Sequence, residues 1–206
     1  GTAVQRFEGR DDGMVSKTLT GKWVDGRLNG KRTVFHTYEG RDDGMVSKTW
    51  TANWVDGVFQ GEGTVVRKYE GRDDGRVSRT TTGKFAVNGV FQGKGTDVRK
   101  YEGQADGVVS QTYTGYFDVN GILQGKGTEV QTFEGRADGL VSETNTANWV
   151  NGQLQGKGTA VQRFEGRDDG VVSETQKGAF VNGLLQGKGT AVQRFEGRDD
   201  GMVSKT

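Results

Sequence analysis

The residues best placed to do chemistry are carboxylates held in glycine turns. Asp11-Asp12 lies between Gly9 and Gly13, and the pair returns as Asp42-Asp43, Asp73-Asp74, Asp168-Asp169 and Asp199-Asp200. Carboxylates on a tight loop supply the hard oxygen ligands that calcium prefers. The same residues also serve turn chemistry, because Asp before Gly tolerates positive φ and hydrogen-bonds local backbone. Two copies decide between these readings. In them the first carboxylate is Ala105 or Ala137, while the second persists as Asp106 or Asp138. A turn needs only the second, so the sequence favours turns over a metal site.

The other chemical candidates weaken in the same way. His36 occupies a position that elsewhere holds Arg67, Arg99, Gln131 or Gln162, so it reads as one variant of a polar sheet position. With no cysteine, thiolate nucleophiles, thiolate metal sites and disulfides are all excluded. The pairs Gly61/Gly63, Gly93/Gly95 and Gly125/Gly127 would cradle a phosphate only ahead of a helix, and no helical periodicity follows them. Nowhere do titratable groups form one cluster that differs from its surroundings, as an active site requires. The expectation is a protein that is not an enzyme, with no catalytic, cofactor or metal residues.

Two columns of rings remain. One is Trp23, Trp54, Phe85, Phe117, Trp149 and Phe180; the other is Tyr38, Tyr69, Tyr101, Phe133 and Phe164. Flanked by Lys, Arg, Asn and Gln, such rings could stack on sugars or on single-stranded nucleic acid. They could equally be the shallow core of a thin sheet, which is the preferred reading. A net charge of +1, from 28 basic and 27 acidic residues, gives no bulk attraction to nucleic acid. A glycan is therefore the ligand that an exposed ring face would fit.

The elements that position these residues are read from a repeat. Phe7 reappears as Tyr38, Tyr69, Tyr101, Phe133, Phe164 and Phe195, at spacings of 31 or 32 residues. Such a period marks a repeat array. It divides the single array 1–206 into a head, 1–18, and units 19–49, 50–80, 81–112, 113–144, 145–175 and 176–206. Each unit predicts two β-strands, joined alternately by an Asp-Asp-Gly turn and by an Asp-Gly or Asn-Gly turn of the type I′ hairpin kind. Side chains alternate along a strand. Val46, Lys48, Trp50, Ala52 and Trp54 therefore share a face, as do Val15, Lys17, Leu19, Gly21 and Trp23, and Val109, Gln111, Tyr113, Gly115 and Phe117. On the returning strand Phe59, Gly61, Gly63, Val65, Arg67 and Tyr69 do the same. Rings are expected to lie flat over the glycines. The reverse face reads as solvated, with one valine column at Val66, Val98, Val130, Val161 and Val192. Units 81–112 and 113–144 carry one extra residue, expected as bulges at Ala86-Val87-Asn88 and Asp118-Val119-Asn120.

The run Tyr113-x-Gly115-x-Phe117 followed by Gly121, Gly125 and Gly127 resembles the MORN repeat. Gly21-Lys22-Trp23 with Gly26 and Gly30, and Gly83-Lys84-Phe85 with Gly89, Gly93 and Gly95, keep most of that pattern. The leading Tyr is replaced by Leu19, Trp50, Thr81, Asn145 or Gln176, two glycines by Ala52 and Ala147, and the last glycine of the first unit by Arg32. The resemblance implies a single-layer sheet of stacked hairpins serving as a scaffold, a dimerisation element or a lipid contact, and not as a catalyst.

With 36 glycines, no proline and 31% apolar residues, a thick two-layer core is not expected. The reading is an all-β tandem antiparallel hairpin array, an open twisted single-layer sheet preferred over a closed up-and-down barrel. No basic-then-apolar leader and no run near the ~20 apolar residues of a membrane helix is read, so no transmembrane segment is expected. An extracellular or cell-surface setting is slightly preferred to a cytoplasmic scaffold. Residues 1–18 and 189–206 are identical, which suggests a slice of a longer array or a unit that joins copies of itself. Unpaired sheet edges would carry that joining into fibres. The expected function is a self-assembling structural or scaffold protein whose partner is itself, with a repeat lectin as the alternative.

Overall fold

The structure, a computed structural model, describes residues 1–55, 58–86, 89–196 and 203–205. All of its regular structure is β. The strands are β1 (Thr2–Arg6), β2 (Met14–Val24), β3 (Arg27–Tyr38), β4 (Met45–Val55), β5 (Val58–Tyr69), β6 (Arg76–Phe85), β7 (Phe91–Tyr101), β8 (Val108–Phe117), β9 (Leu123–Phe133), β10 (Leu140–Val150), β11 (Gln153–Phe164), β12 (Val171–Val181), β13 (Leu184–Phe195) and β14 (Ser204–Lys205). They follow one another in chain order in one sheet that does not close, since β1 neighbours only β2 and β14 only β13. Two compact units divide the chain: 1–102 with 117–121, and 103–116 with 122–206.

The short hairpins form where the sequence supplies residues that tolerate positive φ. Asp25-Gly26 has φ of 48° and 73°, Asn151-Gly152 51° and 76°, and Asn182-Gly183 50° and 83°. Both central residues are left-handed, as a type I′ turn demands. The extra residue of unit 113–144 lengthens its turn and makes no strand bulge. Strand β8 ends at Phe117, β9 starts at Leu123, and the Gly121 N–H donates to the Asp118 carbonyl at 3.0 Å. In unit 81–112 the Gly89 N–H likewise donates to Ala86 at 2.8 Å, whereas Val87 and Asn88 of the expected bulge lie outside the described residues.

Bulges do occur, but at two other places in each of the hairpins β2–β3, β4–β5, β6–β7, β10–β11 and β12–β13. The first follows the Asp-Asp-Gly turn: Met45 pairs with Tyr69 and Ser47 with Lys68, so Val46 is an extra residue. The same shift appears at Met14/Ser16, Arg76/Ser78, Leu140/Ser142 and Val171/Ser173. One extra residue offsets the alternation. Consequently the residue before the valine is the one paired with the ring, and Met45, Leu140 and Val171 are buried while Val46, Val141 and Val172 are half-buried. Counting faces from Val15 and Val46 therefore starts one residue late.

The second bulge lies beside the ring columns. Gly83 pairs with Gly95 and Phe85 with Phe91, so the returning strand spends two more residues than its partner. An even surplus keeps every side chain on its face. Gly93 absorbs it with φ of 88°, a conformation in which a side chain is strained. Gly95 is needed for a different reason: a Cβ there would lie 2.8 Å from the Phe91 ring. The ring rests on bare backbone, so each glycine of the Gly-x-Gly pair has its own steric task.

Candidate interaction surface

In the first compact unit the rings form an unbroken row across the strands. Centroids are 5.6 Å apart for Trp54–Phe59, 4.8 Å for Phe59–Phe85, 5.4 Å for Phe85–Phe91 and 4.7 Å for Phe91–Phe117. Phe85, Phe117, Trp149 and Phe180 are buried, with Phe117 only 1% exposed. Trp54 is half-buried beneath the guanidinium of Arg32, which lies 3.8 Å over its ring. Arg32 replaces a glycine at this position and is itself buried, and that burial lowers its pKa. Trp23 is the outlying member of its column at 38% exposed. In the second column Tyr38 and Phe164 are buried, while Tyr69, Tyr101 and Phe133 are half-buried. Phe133, Phe164 and Phe195 gather with Leu140 and Val171 into a small core in the second compact unit. The sequence's other core contribution, Phe91, Leu123 and Leu154 on the returning strands, is also buried.

Between the two ring columns runs a band of polar residues on the same face. In the first unit the register sets Lys17 opposite His36, His36 opposite Lys48, Lys48 opposite Arg67, Arg67 opposite Arg79, and Arg79 opposite Arg99. One carboxylate enters this row. Asp97, fully buried, accepts from Arg79 Nε at 2.7 Å, from Arg99 Nε at 3.0 Å and from Thr81 Oγ1 at 3.2 Å. The second unit carries amides and carboxylates instead. Glu143 accepts from Asn145 at 2.8 Å and from Gln162 at 2.9 Å, and Glu174 accepts from Gln193 at 2.7 Å. Glu143, Asn145, Gln162 and Glu174 line a cleft together with Leu154 and Phe180.

His36 belongs to the basic row. Its Nδ1 lies 3.2 Å from the Tyr38 hydroxyl, and its ring packs edge-on against Trp50 with centroids 4.8 Å apart. Burial, then the charges of Lys17 and Lys48, hold its pKa down to about 4. Lys48 lies 4.2 Å over the Trp50 ring, and burial with Arg67 and Arg41 nearby pushes its pKa down to about 8. Half-buried cations set side by side in this way depress one another's charged forms.

The Asp-Asp-Gly turns are built around a residue that sequence reasoning passed over, the arginine before them. Arg72 Nε and Nη2 each donate to Asp74 at 2.8 Å, and the same fork joins Arg10 to Asp12, Arg41 to Asp43, Arg136 to Asp138 and Arg167 to Asp169. A second bond runs to the neighbouring turn: Arg41 Nη1 donates to the Asp12 carbonyl at 3.0 Å, Arg72 to Asp43 at 2.8 Å and Arg136 to Asp106 at 2.9 Å. The guanidinium also covers a ring, for example Arg167 at 4.7 Å over Phe164. The second Asp then caps the next strand, accepting the backbone N–H of Met45, Arg76 or Leu140 through Oδ1. It does not take positive φ; the flanking glycines do, with Gly9 at 61° and Gly13 at 70°. Where Gln104 replaces the arginine, the cap from Asp106 to Val108 persists at 3.1 Å. Among the described residues no cluster of three or more histidines and carboxylates is arranged to hold a metal. Asp199-Asp200 lies outside the described residues.

Against this geometry the sequence model of the MORN repeat matches at three places, residues 50–67, 146–161 and 177–192. Each match covers part of an outgoing strand and the Gly-x-Gly segment of the returning one, and the second and third span the turns at Asn151-Gly152 and Asn182-Gly183. The array is MORN-like. No curated protein matches the chain. MORN-like repeats point to a repeat scaffold or to a membrane-binding, protein-interaction role. No described helix is long and apolar enough to cross a membrane.

Proposed function

We propose that the chain is a non-catalytic scaffold that associates with further copies of itself, edge strand against edge strand. The observation that carries this is the open MORN-like sheet. Strand β1 pairs on one side only, and among the described residues β14 meets β13 at Gln193 and Arg194, with the Phe195 N–H donating to Val203 at 3.1 Å. Unpaired N–H and C=O groups along an edge are a template for another strand. No proline blunts either edge, and the segments 1–18 and 189–206 are identical. A hairpin offered from one end therefore carries side chains that the array already accommodates beside it. Such a contact is head-to-tail and extends unless its rotation closes a ring. The alternative, a lectin stacking sugars on the ring columns, draws no support from Phe85, Phe117, Trp149 and Phe180, which are buried.

Sedimentation of the 206-residue chain over a wide concentration range tests the proposal. Species that lengthen with concentration are expected, and Val4→Pro in β1 should shorten them by removing an edge donor. A strictly monomeric chain at every concentration overturns the self-association reading.

A further inference from the structure

The basic row of the first unit is an arrangement that packing alone does not explain. Cross-strand pairs of like charge are unfavourable, yet Lys48 stands opposite Arg67 and Arg67 opposite Arg79. Asp97 offsets Arg79 and Arg99. Among the described residues neither Lys17, Lys48 nor Arg67 forms an ion pair with a carboxylate. All three are half-buried on the face that also holds the rings, so their stems are ordered while their charges lack a counterion. In the second unit the same row is made of Gln131, Glu143, Gln162 and Glu174, where Gln162 donates to Glu143, Gln193 to Glu174 and Gln131 to Glu129. The cationic character is thus confined to one part of a repeated surface and is not a property of the fold.

We propose that Lys17, Lys48 and Arg67, with His36 between the first two, form a binding site for an acidic polysaccharide, a sugar chain bearing a carboxylate or sulfate on its residues, laid across the strands. The row advances by one residue per strand, a step of about 4.8 Å close to the length of one pyranose in an extended chain, and its cations fall on β2, β4 and β5, at whole multiples of that step. A peptide places its same-side groups two residues apart, about 6.8 Å, and fits the step poorly. Single-stranded nucleic acid binds through stacked rings as well as charge, but the ring column at Phe59, Phe85 and Phe91 is buried and the half-buried Trp50 ring beside the row is already covered by Lys48 and His36. His36, half-buried with its Nδ1 on the Tyr38 hydroxyl, separates Lys17 from Lys48. This site is independent of the edge contacts proposed above and stands whether or not the chain assembles.

Calorimetric titration of the full chain with oligogalacturonate at low salt tests the inference. The parent should bind, and the double variant Lys48→Gln/Arg67→Gln should bind about tenfold more weakly or worse. A control on the opposite, exposed face, Lys68→Gln/Lys84→Gln, should bind as the parent does. The row variant should melt at the same temperature as the parent or higher, because it relieves like-charge repulsion, so lost binding cannot be put down to unfolding. Absence of binding by the parent overturns the site, and so does an equal loss in the control. Equal binding of a polyglutamate or a homopolymeric RNA overturns the assignment to a sugar chain.

Discussion

Where a long turn carries it, one arginine holds its own loop's carboxylate and covers the ring beneath it, and Arg41, Arg72 and Arg136 also reach the neighbouring loop. The carboxylate of this arrangement is held well below the usual range: the Arg41 guanidinium, set against a small burial penalty, and the Met45 N–H bring Asp43 down to about 2 from 3.8. A depressed carboxylate contributes stability that is present above its unfolded pKa and is lost as pH falls through the folded one. The turns should therefore weaken between about pH 4 and pH 2. His36 acts in an earlier window. Its pKa falls from 6.5 to about 4 on folding, so the unfolded chain takes up the proton first and stability declines as pH drops from about 6.5 towards 4. Thermal melts across this range should show both steps. His36→Gln, which installs the residue found at Gln131, Gln162 and Gln193, should abolish the upper step and leave the lower one. Because arginine supplies the positive charge that calcium would have supplied, a chelator should leave the melting temperature unchanged, and a large fall would overturn the turn assignment.

At the scale of the strand and the hairpin, burial separates residues that look equivalent in sequence. Phe117 is 1% exposed and Trp23 is 38% exposed, although both occupy the same column. Phe117→Ala should cost about 3–5 kcal/mol, the range for emptying a buried aromatic site, and Trp23→Ala well under half of that; urea melts of both variants check the contrast. Much at this scale was legible beforehand. Asp25-Gly26 announced its turn type, and the Trp and Phe columns announced their face. The bulge at Val46 was not legible, because Met45 and Val46 are both apolar and either could be placed against Tyr69. Nor was the extra residue near Asp118, since a single insertion is absorbed equally well by a strand or by its turn. The arginine fork was hidden by its setting: Arg-x-Asp in a glycine turn reads as solvated charge until the neighbouring turn's carbonyl is in place. Asp97 was hidden for the opposite reason, a buried carboxylate at a position held elsewhere by Val65.

At the scale of the molecule, every pairing joins strands that are consecutive in the chain. Stability in such a chain is a sum of local terms and nearest-neighbour interfaces, and contacts between near neighbours in sequence favour rapid folding. The consequence reaches into synthesis. A strand leaving the ribosome needs only the strand made just before it, so each hairpin can close while the next is still being translated. Growth of the polypeptide and growth of the sheet then proceed in the same direction. The last strand added is always an edge, and it waits for the strand that follows it.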